Sequence, residues 1–181
     1  MRYTITSSQL NYFRKEGQIE FEDLYTVEEV LSLRAQLDQA QTVTQSPRDL
    51  QRDNPPLMSA LHASRFGQLA INLFRKKRIR IAFTQYSPRY EAPMPIEAIS
   101  SFSETLGGCI INLQSGVTTF YQAQFPIDFP SLQAPYLLIV LASDRARYKL
   151  QETDPCTHLL KRMGYGFGDL ITEETHPLIV K

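Results

Sequence analysis

The sequence predicts an α+β protein of one domain, with helices leading into an antiparallel sandwich or barrel. Three observations carry this. Helical signals are concentrated in residues 1–77, short strand signals follow one another through 78–150 without a helix between them, and "YLLIVLA" is apolar on both faces. A short helix and tail are expected over 151–181. A chain of 181 residues, 43% hydrophobic and 10% aromatic, buries roughly 70% of its unfolded surface as one domain. No second core is needed.

Thr6 and Gln9 form a capping signal ahead of "SQLNYFRKE", and Gly17 supplies the stop, so a helix opens the chain. "QIEFE" then alternates polar and apolar residues, as a half-buried strand does. At "TVEE", Thr26 caps a second helix, Glu29 reaches back, and Tyr25 and Val30 form a hydrophobic staple. The spacing places Val27, Val30, Leu31 and Leu37 on its inner side. Thr42 to Pro56 reads as an exposed loop. Leu61, Phe66, Leu69, Ala70 and Leu73 make one apolar helical stripe beyond it.

Five bases then crowd into "RKKRIR". At a helix end, cations complement the negative dipole and bind loose carbonyls, which is the plainer explanation. The alternative is a nucleic-acid site at Arg75, Lys76, Lys77, Arg78 and Arg80, working by phosphate neutralisation. Nineteen basic residues balance nineteen acidic ones, so any polyanion must be met by such a local patch.

Ile79, Ile81 and Phe83 alternate with Arg78, Arg80 and Thr84. "GGCIINLQ", "VTTFYQA", "YLLIVLA" and "ARYKL" are further strands, with "YLLIVLA" inside the sheet and Ser115-Gly116 a hairpin turn. Asp154 caps a closing helix, Pro155 takes its first position, and Gly164 ends it. Tyr86, Tyr90, Tyr121 and Phe125 suit either a pocket lining or ordinary sheet packing.

"FRKEGQIEFEDLYTVEEVLSLRAQLDQA" resembles the opening of phytanoyl-CoA dioxygenase-like proteins, and "GYGFGDLITEETHPLI" is similar to the close of small bacterial members of that group. The resemblance implies a double-stranded β-helix, a squashed jelly-roll (cupin-like) barrel of two antiparallel sheets with N-terminal helices packed on one of them. It also implies iron(II) held by two imidazoles and a carboxylate, with 2-oxoglutarate as co-substrate. The residues answer that implication poorly. His62, His158 and His176 are the three histidines, none begins H-x-D/E, and none lies between 62 and 158, where the barrel strands fall. In "YSPRYEAPMPIEAISSF", where the resemblance places the motif, Glu91 and Glu97 stand without an imidazole. Arg145 or Arg147 occupies the region of the co-substrate clamp that the resemblance implies, and sheet-edge arginines are commonly solvated.

Other chemistry is sparse. Cys156 and His158 offer two of the four ligands a structural zinc needs, with His176 as a distant third. Cys109 follows two glycines without a nucleophile elbow, and a strand-borne cysteine is commonly core. No phosphate-loop fingerprint is present. The start lacks a signal-peptide core and the longest apolar run is too short to span a bilayer, so a cytoplasmic protein without membrane contact is expected. Two widely separated cysteines agree with a reducing compartment.

Three functions are therefore expected in turn. The first is an oxygenase-like barrel without metal or catalysis that binds a small molecule or a protein. The second is a metal-responsive nucleic-acid-binding regulator. The third is an active iron oxygenase with an unusual ligand set that includes Glu91 or Glu97.

Overall fold

The structure, a computed structural model, describes residues 4–43, 48–50, 52, 54–61, 64–87, 89–132 and 135–179. His62 lies outside them. Helices α1 (Ser7–Glu16), α2 (Val27–Val43), α3 (Pro55–Leu61) and α4 (Ser64–Phe74) precede most of the sheet, and strand β1 (Gln18–Phe21) falls between the first two. Strands β2 (Ile79–Tyr86), β3 (Met94–Pro95), β4 (Thr105–Asn112), β5 (Thr118–Gln122), β6 (Pro126–Ile127) and β7 (Tyr136–Ser143) follow. Among the described residues, no helix is long and apolar enough to cross a membrane.

Local chemistry sets the helix ends. Thr6 Oγ1 accepts from Gln9 N–H while the Gln9 side chain accepts from Thr6 N–H, a complete capping box, and Gly17 closes α1 at φ 77°. At α2, Thr26 N–H donates to Glu29 Oε2 at 2.7 Å and Glu29 N–H returns to Thr26 Oγ1. Tyr25 and Val30 are buried, as a staple requires. The inner side of α2 differs from expectation: Val30, Leu33 and Leu37 are buried, whereas Val27 and Leu31 are 68% and 59% exposed. The burial stripe follows i, i+3, i+7, which turns Val27 and Leu31 away from the sheet.

Five strands form one antiparallel sheet in the order β1-β5-β4-β7-β2, and β3 pairs with β6 in a second, two-stranded sheet. Period-2 alternation gives the large sheet two apolar faces. Cys109, Ile111, Leu137, Ile139 and Leu141 pack beneath the helices with Phe66, Leu69 and Leu73. Ile110, Leu138, Val140 and Ala142 face the barrel interior with Ile96, Ile99, Phe102 and Tyr148. "YLLIVLA" is internal, flanked by β4 and β2, and all eight residues of its strand are buried.

Three local expectations are corrected. The alternation in β2 breaks at a bulge between Ile81 and Phe83. Ile79 and Ile81 therefore lie on the helix side, while Ala82 and Phe83 lie inside the barrel. "ARYKL" contributes only the bridges Phe102 to Tyr148 and Arg147 to Leu170, because the second sheet is short and irregular. The closing helix shrinks to turns and a 3-10 segment, Leu159–Met163, ended by Gly164 at φ 88°.

The supposed loop Thr42–Pro56 is tied into the fold by residues 48–50. Arg48 bridges to Gln85, and Asp49 N–H donates to Thr84 O at 2.8 Å. Further along the same edge, Arg80 bridges to Leu178 and Ile179 N–H donates to Ile79 O. Two remote segments thus occupy an edge whose free N–H and C=O groups otherwise invite aggregation.

The glycines before Cys109 serve packing. A Cβ on Gly108 would lie 2.3 Å from Ile139 O, and one on Gly107 would lie 2.1 Å from Tyr121 O. Both obstacles are backbone and cannot swing aside. Gly108→Ala is expected to cost about 2–4 kcal/mol, against about 1 kcal/mol for Thr6→Ala at an exposed cap, both read by urea denaturation.

Candidate functional site

The barrel interior is where an oxygenase of this architecture does its chemistry, so its lining decides what remains possible. Among the described residues, apolar side chains line much of it. Ile96 and Ile99 are fully buried and Phe102 nearly so, while Glu91 and Glu97 of the same segment are exposed. Short 3-10 geometry over Ile96–Ile99 turns the isoleucines inward and leaves Glu97 in solvent.

One charged pair sits within. Arg48 Nη1 reaches Asp154 Oδ1 at 3.0 Å and Oδ2 at 3.1 Å, with side chains only 4% and 1% exposed. Arg48 Nη2 donates to Gln85 Oε1 at 3.1 Å, and the guanidinium lies 3.9 Å from the centre of the Phe83 ring. Asp154 also accepts from Ser101 Oγ at 2.8 Å and from Cys156 N–H at 2.9 Å. A hydroxyl has one proton, and a carboxylate only accepts. Ser101 Oγ therefore has two acceptors for its one proton, Asp154 Oδ2 and Thr157 Oγ1 at 2.9 Å. Burial, the largest single influence, opposes the charge on Arg48, but the facing Asp154 carboxylate together with Cys156 and Tyr90 outweighs it and raises the arginine pKa overall. Beside this network remains a cavity of about 10 Å³ among Phe83, Ser101, Phe102, Asp154, Cys156 and Leu160. That is about the space of one water, whereas small-molecule pockets run to about 300–1,000 Å³.

A second buried node closes the neighbouring edge. Arg52 Nη2 lies 2.9 Å from His176 Nε2, and His176 Nδ1 lies 2.8 Å from Thr175 Oγ1. Since arginine only donates, Nε2 accepts and Nδ1 carries the proton. Arg80 Nη1 donates to the His176 carbonyl at 2.6 Å, and Asp49 balances Arg52 at 3.1 Å. Burial, then Arg52 and Arg80, push the His176 pKa down to about 3, so the ring is neutral.

The residues singled out from the sequence do not converge. Arg145 and Arg147 are exposed and alternate with Ala146 and Tyr148, which face the interior. Arg147 Nη1 instead donates to Gly168 O at 2.7 Å. His158 is exposed near the Phe167 ring, His176 is held by Arg52, and Cys156 lies beside Asp154. No three metal-ligating side chains cluster among the described residues. Cys109 is fully buried, and burial pushes its thiol pKa up, away from nucleophilic use. Tyr86 belongs to the helix-side core and bonds Asp38 through its hydroxyl; Tyr121 packs in the barrel with Tyr90 and Phe125 at its rim.

The basic run divides into three. Arg75, Lys76 and Lys77 line an open groove, Arg78 pairs with Asp144 at 3.0 Å, and Arg80 is buried against His176. Sequence reasoning missed Arg48 and gave Asp154 only a capping role. No local pattern marks either, because their 106-residue separation is bridged only by the fold.

Among the described residues, the side chains of the interior do not fit an iron and 2-oxoglutarate site. A facial triad needs three converging donors, and the interior presents isoleucine, phenylalanine and a carboxylate already saturated by arginine, serine and a backbone amide.

The sequence matches no family model and no curated protein. The fold is similar to several solved structures. SnoK, a non-heme alpha ketoglutarate dependent carbocyclase from nogalamycin biosynthesis, aligns over 96% of each chain at 12% identity with a TM-score of 0.77. The epimerase SnoN from the same biosynthesis aligns over 95% of this chain and 97% of its own at 14% identity, TM-score 0.77, and is known with Fe3+ and alpha ketoglutarate. CT296 from Chlamydia trachomatis aligns over 79% of this chain and 98% of its own at 19% identity, TM-score 0.60. At such identities the likeness is one of fold: the double-stranded β-helix of the iron and 2-oxoglutarate oxygenases.

Two measurements follow from the site. Arg48→Ala or Asp154→Ala strands a buried charge and is expected to cost about 3–5 kcal/mol, while Arg48→Met with Asp154→Leu together costs less than either alone, by urea denaturation. For His176, the usual pKa of 6.5 in the unfolded chain against about 3 in the fold means that, between these values, only the unfolded chain takes up a proton. Stability is therefore complete above pH 6.5 and falls as pH drops toward 3. His176→Gln is expected to flatten that slope; an unchanged slope refutes the assignment.

Proposed function

We propose that this protein is an oxygenase-fold barrel, related to the phytanoyl-CoA dioxygenase-like proteins, that has given up iron and catalysis and serves as a binding module for a small molecule or a protein. One observation carries the reading: among the described residues the barrel interior is lined by apolar side chains such as Ile96, Ile99 and Phe102, with the Arg48–Asp154 pair buried beside them. Iron(II) held there needs neutral imidazoles or free carboxylates directed at one point. Asp154, the buried carboxylate inside, is committed to a guanidinium and two further donors.

The alternative of an active oxygenase with an atypical ligand set draws on Glu91 and Glu97, and both are in solvent. A regulator gripping nucleic acid with all five bases draws on Arg78, already paired, and Arg80, already buried. Free Cys109 and Cys156 accord with the reducing cytosol expected from the sequence.

Anaerobic iron(II) titration by calorimetry, followed by succinate detection with 2-oxoglutarate and dioxygen, tests the reading. No saturable iron binding and no succinate above a protein-free control are expected. Stoichiometric iron with succinate release overturns it.

A further inference from the structure

We propose that the groove between the start of α1 and the end of α4 binds small phosphate esters of the size and charge of a nucleoside triphosphate. The inference supplies a ligand class for the binding role proposed above, but it rests on a different place. Through Phe13, Leu69 and Leu73, α1 and α4 pack on the helix side of the large sheet, across it from the barrel interior.

The groove encloses about 830 Å³, inside the range of about 300–1,000 Å³ typical of small-molecule sites. Arg75, Lys76 and Lys77 form one wall, and no carboxylate-bearing residue is among the described residues that line it. All three cations are exposed, and among the described residues none of them forms an ion pair. Thr6 and Ser7, at the positive end of the ten-residue helix α1, line the same groove. Gln68 and Asn72 add amide donors and acceptors, and Ile5, Leu10 and Ile71 add an apolar surface suited to a base or another flat group. Cations for phosphate beside apolar contact for an organic moiety are complementary to a phosphate ester more than to a bare anion.

Arg75 sits at the junction of α4 and the groove. It follows the last residue of α4 at φ 52°, the left-handed region where glycine is the usual residue. Its side chain lies in the wall of the groove.

The size of the patch decides between a small ligand and a polynucleotide. A nucleic-acid track needs cations spread along a surface, one for each phosphate neutralised. Here Arg78 is held by Asp144 at 3.0 Å and Arg80 is buried, so the positive wall stops after three residues. Three charges suit one tri- or diphosphate.

Calorimetric titration of the full chain with ATP and with inorganic tripolyphosphate, at 50 and 300 mM NaCl, tests the proposal. One ATP per chain is expected, weakened about tenfold or more by the added salt, with tripolyphosphate binding more weakly because it leaves the apolar surface unused. Lys76→Gln with Lys77→Gln is expected to lower ATP affinity at least about tenfold, and Arg162→Gln, elsewhere on the surface, to leave it unchanged. Arg75→Gly separates binding from folding: affinity falls while the melting temperature rises, since glycine relieves the left-handed backbone. Absence of saturable ATP binding up to millimolar concentration overturns the proposal. So does binding indifferent to the lysine substitutions, or tight binding of a single-stranded 20-mer oligonucleotide without binding of ATP. Succinate release bears only on the barrel, so the two readings fail separately.

Discussion

A sheet that is apolar on both faces must be covered twice, and this constraint governs the molecule. Strand β7 is buried along its whole length, so neither face of the sheet tolerates water. Each large apolar side chain left exposed would forfeit about 1.5–3 kcal/mol. The helices α1 to α4 meet one half of the demand. Short strands, 3-10 turns and the C-terminal tail meet the other, and because they are irregular they fill the barrel with side chains in place of a regular second sheet.

That filling links architecture to function. An enzyme of this fold keeps its interior hollow and polar enough for a metal and a co-substrate. Here, among the described residues, packed apolar side chains line the interior, and Arg48 and Asp154 neutralise one another. An ion pair this deep is weak evidence for stability, since desolvation offsets much of the attraction. Its evident effect is geometric: it joins a segment before β2 to one after β7. The His176 node does similar work one step along the same edge, where a neutral ring accepts from Arg52 while Arg80 binds the adjoining carbonyl.

The division of the basic run shows how secondary structure distributes one sequence feature among three roles. The helix end leaves Arg75, Lys76 and Lys77 in the groove, the approach to β2 gives Arg78 to Asp144, and the pleat turns Arg80 inward. Proximity in sequence therefore overstated the patch.

Much of the fold was legible from local chemistry. Capping boxes at Thr6 and Thr26, the stop at Gly17, the stripe through Phe66, Leu69, Ala70 and Leu73 of α4, and the interior position of "YLLIVLA" all depend on residues within a turn or two of one another, whereas Leu61, expected on the same stripe, is buried at the end of the separate helix α3. The shortage of histidines across the barrel strands was equally plain, since composition needs no coordinates. What the sequence could not disclose were pairings across long separations: Arg48 with Asp154, Arg52 with His176, and the edge contacts of residues 48–50 and 178–179. Nor could periodicity foresee the β2 bulge, which exchanges the faces of Ile81 and Phe83, or the choice of Leu33 over Leu31 on α2. Local propensities depend on neighbours in the chain, whereas burial, charge pairing and the side from which a residue is seen depend on neighbours in space, and only the folded arrangement of the layers supplies those.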